Sequence, residues 1–268
     1  MIKAIVTGAA GRMGGRIINL IKEAGDFQLT GSTERPGHPA IGKDAGEVAG
    51  AGRLDVIVTD TLAAVIKGAE VVLDFTTPEA SRKHLEIASE AGVAVVIGTT
   101  GLSKDDLERA RILSGSIPCV ISPNMSVGVN VLFKLLPPIA HILGEDYDVE
   151  IFEAHHHFKK DAPSGTALRM AQGIAEALGR DLEKVGVYGR KGMVGERKKE
   201  EIAVHTIRAG DIVGEHTVIF GGLGERIEVT HRAHSRDNFA RGALRAARWV
   251  VGKKPGLYDM LDVLGLKE

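Results

Sequence analysis

The sequence predicts an α/β chain in two parts, and three observations carry that expectation. From Ile2 to Ile121, short apolar runs alternate with amphipathic stretches. The first of those runs ends in a glycine-rich turn, Gly8-Ala-Ala-Gly-Arg-Met-Gly14, that opens a helix. From Ile202 to His231, strand-like runs follow one another with only Gly-containing turns between them. The first pattern is that of β-α-β units, whose parallel strands are covered on both faces and lose their polar alternation. The last pattern is that of strands joined by tight turns in an antiparallel or mixed sheet. The expected architecture is therefore a Rossmann-like parallel-sheet nucleotide domain plus an α+β domain with an open mixed sheet. The first covers 1–126 and 236–268, and the second covers 127–235.

The elements follow in order. Ile2–Thr7 reads as a strand, Arg12–Ala24 as a helix and Phe27–Thr33 as a strand. Asp44–Asp60 reads as loop with at most one short strand. Val71–Phe75 is a strand, and Pro78–Ala91 a helix whose first residue is a proline, where a missing N–H is harmless. Val93–Ile97, Ser103–Leu113 and Ile117–Ile121 continue as strand, helix and strand. Val129–Leu143 reads as a long helix that Pro137-Pro138 should kink or interrupt. Asp148–His155 is a strand and Gly165–Leu178 an amphipathic helix. Gly186–Arg197, rich in Gly, Lys and Arg, reads as a mobile loop. Ile202–Arg208, Glu215–Phe220 and Arg226–His231 are strands, and helix Arg236–Val251 precedes a short tail.

Composition narrows the function classes. The chain has 268 residues, enough for one large or two modest domains. A net charge of −1 gives no field that would recruit nucleic acid or an anionic membrane. Cys119 is the only cysteine, so no intrachain disulfide forms, and the expected environment is reducing. Its expected place is a small apolar position inside a strand. Met1-Ile2-Lys3 runs straight into the first strand without a signal-peptide pattern. No apolar run is expected to reach the ~18 residues of a membrane span, so the expected location is the cytoplasm.

The glycine-rich turn points to a dinucleotide. The first glycine permits the tight turn, the second lets the backbone approach a pyrophosphate, and the third lets helix pack closely on strand. Gly8, Ala9, Ala10, Gly11, Arg12 and Met13 are the candidate phosphate-side residues. Glu34 stands 20 residues beyond Gly14, where an acid hydrogen-bonds a ribose 2′-OH. Arg35 follows it and suits a 2′-phosphate, so both NADH and NADPH are expected as cofactors. An ordinary solvated Glu and Arg is the plain alternative. Gly98-Thr99-Thr100 and Ser122-Pro123-Asn124-Met125 lie where strands end, the place where ligands bind in open α/β sheets, and are candidates for ribose and nicotinamide.

A second stretch, Glu153-Ala-His-His-His-Phe-Lys-Lys-Asp-Ala-Pro-Ser-Gly-Thr166, concentrates imidazoles and ammonium groups before a helix start. Histidine changes charge near neutral pH. In an extended strand His155 and His157 share one side and His156 takes the other. Lys159 can donate a proton or bind a carboxylate. Ser164 reads as an N-cap, which turns the N–H groups of Gly165 and Thr166 toward an anion. Histidines are also metal ligands, but ligands must converge, and with no helical His pair and no Cys partner no metal is expected.

These motifs resemble the dihydrodipicolinate reductase family, nearly end to end. The shared pieces are Gly8–Gly14, Asp74-Phe-Thr, Gly98-Thr-Thr-Gly101, Pro123-Asn-Met-Ser-Val-Gly-Val-Asn130, the block from Glu153 through Lys159 to Ala167, and Arg208-Ala-Gly-Asp-Ile-Val-Gly-Glu-His216. The resemblance implies NAD(P)H-dependent reduction of a cyclic unsaturated dicarboxylate to tetrahydrodipicolinate, in lysine and diaminopimelate biosynthesis. It implies His155 as acid/base, Lys159 as proton donor, and His156, Gly165 and Thr166 as substrate contacts. It further implies a homotetramer built through the sheet of the second domain. His157 and Phe158 fill open positions of the motif and carry no assigned role. Two other readings remain: a related dehydrogenase of another imino or keto acid, and a nucleotide sensor that would have no use for His155 and Lys159.

Overall fold

The computed structural model describes residues 1–267. The chain forms two compact units, one of Met1–Val127 with the segment from Arg236 onward, the other of Gly128–Ser235.

The first unit begins with β1 (Ile2–Thr7), α1 (Arg12–Glu23), β2 (Phe27–Thr33), α2 (Ala45–Val48) and β3 (Val58–Thr59). It continues with β4 (Val71–Asp74), α3 (Pro78–Ala91), β5 (Ala94–Ile97), α4 (Lys104–Leu113) and β6 (Pro118–Ile121). The second unit holds most of α5 (Val127–Leu143), then β7 (Asp148–His155), α6 (Gly165–Ala177), α7 (Leu182–Val185), β8 (Gly186–Val187), β9 (Ile202–Arg208), β10 (Gly214–Gly221) and β11 (Arg226–Ala233). The first unit closes with α8 (Asp237–Val250), β12 (Gly256–Tyr258) and α9 (Met260–Leu264).

The first sheet runs β12-β6-β5-β4-β1-β2-β3, with every pairing parallel. Its central strands are apolar at consecutive positions because both faces are covered. Ala4, Val6, Leu73 and Val96 pack with α1 and α8 through Ile17, Ile18, Ala243 and Ala247. Ile5, Val72, Val95 and Cys119 face the other way, onto Leu85 of α3 and Ala110 of α4. Burial pushes the Cys119 thiol up to about 12, so it is an inert packing group. Helix α4 starts where a reciprocal Ser103/Asp106 capping box satisfies its first amides.

The second sheet is mixed, in the order β11-β10-β7-β9-β8. β10 is antiparallel to both β7 and β11, and β9 is parallel to β7 and β8. Val149, Ile151, Val218 and Phe220 face a core closed by Leu132 and Leu136 of α5 and by Met170 and Ile174 of α6. Phe220 is fully buried. Phe220→Ala is therefore expected to lower stability by ~3–5 kcal/mol, read as a fall in the denaturation midpoint.

Four expectations are revised. Pro137 and Pro138 lie inside an uninterrupted α5. Two backbone hydrogen bonds are lost there, and the buried stripe Val129, Leu132, Leu136 and Ala140 holds the helix in their place. The stretch Val127–Asp146, at 20 residues, is long and apolar enough to cross a membrane by length and composition, contrary to the sequence reading. A core helix meets the same criterion, and this one contributes its stripe to the second core. The segment after Gly186 is tied to the sheet: Arg190 pairs with Glu150 and Glu201, and Arg197 with Glu150 and Asp148. Finally, the Asp44–Asp60 segment contains α2, and the tail contains β12 and α9.

Candidate active site

The candidate nucleotide residues lie in the first unit, at the carboxyl ends of its parallel strands. The order β3-β2-β1-β4-β5-β6 within the sheet reverses direction between β1 and β4, the switch point at which α/β sheets bind ligands. Gly8, with φ +68°, makes the turn out of β1. A side chain at Gly14 would overlap the Gly8 carbonyl, so α1 packs directly on the turn. Gly11 N–H donates to the Gly8 carbonyl at 2.9 Å. Ala10, Gly11 and Arg12 are exposed, whereas Ala9 is fully buried.

Glu34 leaves the end of β2 and closes onto this turn. Its carboxylate accepts from the Ala10 amide at 3.0 Å and the Arg35 amide at 2.9 Å. Beside it a recess of ≈ 350 Å³ is lined by Ala10, His38, Lys43 and Glu47 among others. Sequence reasoning did not single out His38 or Lys43, because neither belongs to a motif.

The other proposed nucleotide residues divide by side chain. Thr99 is buried, and its hydroxyl oxygen accepts from the Thr76 amide and from Ser81. Ser122 donates to the Asn124 carbonyl at 2.9 Å, and Met125 is buried in the core. These side chains shape the loops from within, so backbone groups are what they present outward. Asp74, wholly buried, accepts from Thr76 and pairs with His84 at 2.8 Å, fixing the loop after β4. The residues present suit a dinucleotide: α1 opens on the glycine turn with no side-chain cap, which leaves its first amides to a phosphate.

The candidate proton-transfer residues lie in the second unit. On β7 the alternation sends Ile151, Glu153 and His155 to the core side. His155 Nδ1 lies 2.6 Å from Glu153 Oε2. Strand β7 ends at His155, so the alternation does not extend to His157, whose Nδ1 instead meets the Gly210 carbonyl at 2.9 Å. His156 sits at the start of that turn, with its ring near Phe158. Lys159 Nζ is held by both Asp161 oxygens at 2.9 Å, on a side chain 20% exposed. Ser164 caps α6 by accepting from the Ala167 amide. Gly165 is exposed, and a Cβ there would meet nothing within 4 Å, so open space adjoins the helix start. Thr166, beside it, is half-buried.

Arg208 and His216, the ends of a shared motif to which the sequence reading gave no role, and Thr206, outside any motif, join these residues. Arg208 forks onto Glu153 with two bonds of 2.8 Å and donates to the Asp161 carbonyl at 2.7 Å. Thr206 donates to Glu153 Oε1, and His216 meets Ser164 Oγ at 3.0 Å. Burial favours protonated Glu153, but the bonds from His155, Arg208 and the Ser164 amide outweigh it and hold the carboxyl well below its usual range. His216 is brought down to about 3, chiefly by burial and then by the charge of His155, and so stays neutral. Among the described residues no cluster of His, Cys, Asp and Glu has the form of a metal site.

Comparison with known proteins covers both units. Residues 2–125 match the family described as dihydrodipicolinate reductase, N-terminus. Residues 128–264 match dihydrodipicolinate reductase, C-terminus. The 4-hydroxy-tetrahydrodipicolinate reductase of Syntrophus aciditrophicus is 60% identical over 267 residues, 100% of either chain. That of Geobacter sulfurreducens is 58% identical with the same coverage. A solved structure, dipicolinate-bound dihydrodipicolinate reductase from Paenisporosarcina sp. TG-14, aligns with TM-score 0.75 at 26% identity over 98% of both chains. An amine dehydrogenase from Mycobacterium smegmatis shares the fold, with TM-score 0.60 at 14% identity over 96% of this chain and 94% of that one. With both family models matched and full-length relatives at this identity, the chain belongs to the dihydrodipicolinate reductase family.

Proposed function

We propose that the chain reduces a dihydrodipicolinate-type cyclic dicarboxylate to tetrahydrodipicolinate with NAD(P)H, in lysine and diaminopimelate biosynthesis. The observation that carries this reading is the Glu153–His155 pair followed by Lys159 and the capped start of α6. A dinucleotide sensor would have no use for such a group. The dicarboxylate named with the Paenisporosarcina relative fits the same chemistry.

The cofactor is a pyridine nucleotide, which supplies the hydride when bound. The Gly8–Met13 turn would hold its pyrophosphate, Glu34 and Arg35 its adenosine ribose, and the backbone of Gly98–Thr100 and Ser122–Met125 the remainder. Hydride addition leaves negative charge on the substrate, and a positioned acid neutralises it. His155 and Lys159 are the groups that move that proton. His156, Gly165 and Thr166 hold the substrate carboxylates, aided by the positive end of the α6 dipole. A carboxylate arriving at Lys159 takes the place of Asp161, whose side chain is 61% exposed and easily resolvated.

Glu34 favours the unphosphorylated nucleotide, while Arg35, with His38 and Lys43 nearby, favours a 2′-phosphate. Use of both NADH and NADPH follows. The outward face of the second sheet, with Phe152 and Ile207 at 39% and 47% exposure, is the surface through which copies would form a homotetramer.

The test is oxidation of NADH and NADPH with substrate made in situ by the preceding synthase from pyruvate and aspartate semialdehyde. Oxidation of both nucleotides that requires both synthase substrates is expected. Nucleotide binding without any such oxidation would overturn the assignment.

A further inference from the structure

Glu153 is 1% exposed, an unusual place for a carboxylate. Its two oxygens receive five donors. Oε2 takes the bond with His155 Nδ1 at 2.6 Å and one Arg208 bond at 2.8 Å. Oε1 takes the second Arg208 bond, the Ser164 amide at 2.9 Å and the Thr206 hydroxyl at 3.1 Å. The guanidinium is always charged and matches a carboxylate in a fork, so it keeps Glu153 ionised. An ionised carboxylate only accepts. The hydrogen between Glu153 and His155 must then sit on Nδ1, and a neutral His155 carries its lone pair on Nε2. Around Nε2 the nearest strand contributes Gly214, where even a Cβ would come within 3.1 Å. The same Arg208 also holds the Asp161 carbonyl, and Asp161 holds Lys159.

We propose that Glu153 is the positioning carboxylate of this site: it fixes His155 with Nδ1 protonated and Nε2 as the atom that exchanges the proton, and shares with Arg208 the anchoring of the Lys159 loop. This rests on the reading of His155 as the acid/base. Glu153 touches neither substrate nor cofactor, and its effect passes through the imidazole. Histidines oriented by a carboxylate behind them follow the same logic in hydrolases.

The test uses the full-length enzyme. Side-chain ¹⁵N shifts of His155, assigned against His155→Asn, should show a protonated Nδ1 and a bare Nε2 in the neutral ring. The opposite tautomer overturns the proposal, and this measurement needs no Glu153 variant to fold. In turnover, Glu153→Gln should lower kcat by about 10²-fold, the low end of what a positioned acid contributes, with nucleotide affinity unchanged. The double variant Glu153→Gln/His155→Asn should then fall no further than His155→Asn alone, within about twofold, because residues acting as one unit are not additive. Wild-type turnover in Glu153→Gln, or a double variant that multiplies both losses, overturns the proposal. Normal turnover in His155→Asn would instead remove the acid/base reading beneath it.

Discussion

Lys159→Ala is expected to lower kcat for the synthase-coupled reduction by ~10²–10⁴-fold, the contribution of a positioned proton donor. Nucleotide affinity should not change, since Lys159 is not among the residues proposed to hold the nucleotide. The fold should also tolerate the change. Asp161, which loses its partner, has a side chain 61% exposed that water resolvates, and ion pairs open to solvent contribute ~0–1 kcal/mol. A companion variant separates charge from proton donation. Lys159→Arg keeps a cation for a substrate carboxylate, but a guanidinium does not release its proton at working pH. It should recover substrate KM while kcat stays low. Steady-state rates with both nucleotides, and nucleotide titrations by fluorescence, read the two effects. Turnover at the wild-type level in Lys159→Ala would remove Lys159 from the mechanism.

Much of the first unit was legible because its physics is local. Ala4–Val6, Val71–Leu73 and Val95–Val96 are apolar at consecutive positions since each neighbour faces a different buried layer. Ser103 and Asp106 announce α4 through a four-residue box. What was not legible depends on partners far along the chain. Arg208 stands opposite His155 only through the parallel register of β7 and β9. In the sequence it opens a shared motif, but nothing there says that it reaches Glu153. Glu153 looked like part of a polar cluster, and only the burial of its carboxylate marks it as a hub. The sequence also did not show that the Met125 side chain is buried. Its packing reflects Gly242, where any Cβ would overlap the Met125 carbonyl. β12 is three residues long, too short for a periodicity, and exists because it pairs with β6.

Gly14→Ala is expected to weaken NADH and NADPH binding by at least ~10-fold, about 1.4 kcal/mol. The new methyl would overlap the Gly8 carbonyl and lie 3.3 Å from Ala9 Cα, all backbone. The turn must therefore shift, and the shift acts on the amides proposed to receive the pyrophosphate. Gly8 has little freedom to yield, because its φ of +68° and its bond from the Gly11 amide define the turn. Crowding of this kind also costs ~1–3 kcal/mol of stability. The neighbouring position supplies the control. A Cβ at Gly15 would come no closer than 3.7 Å to any atom, an ordinary contact. Replacing a helix-interior glycine by alanine favours the helix by ~1 kcal/mol, so Gly15→Ala should bind nucleotide normally and unfold at a higher temperature. The two substitutions add the same methyl to consecutive residues of α1, so helix propensity cannot account for a difference between them. If Gly14→Ala binds both nucleotides as the wild type does, the close approach of α1 to the turn is not what shapes the pyrophosphate site.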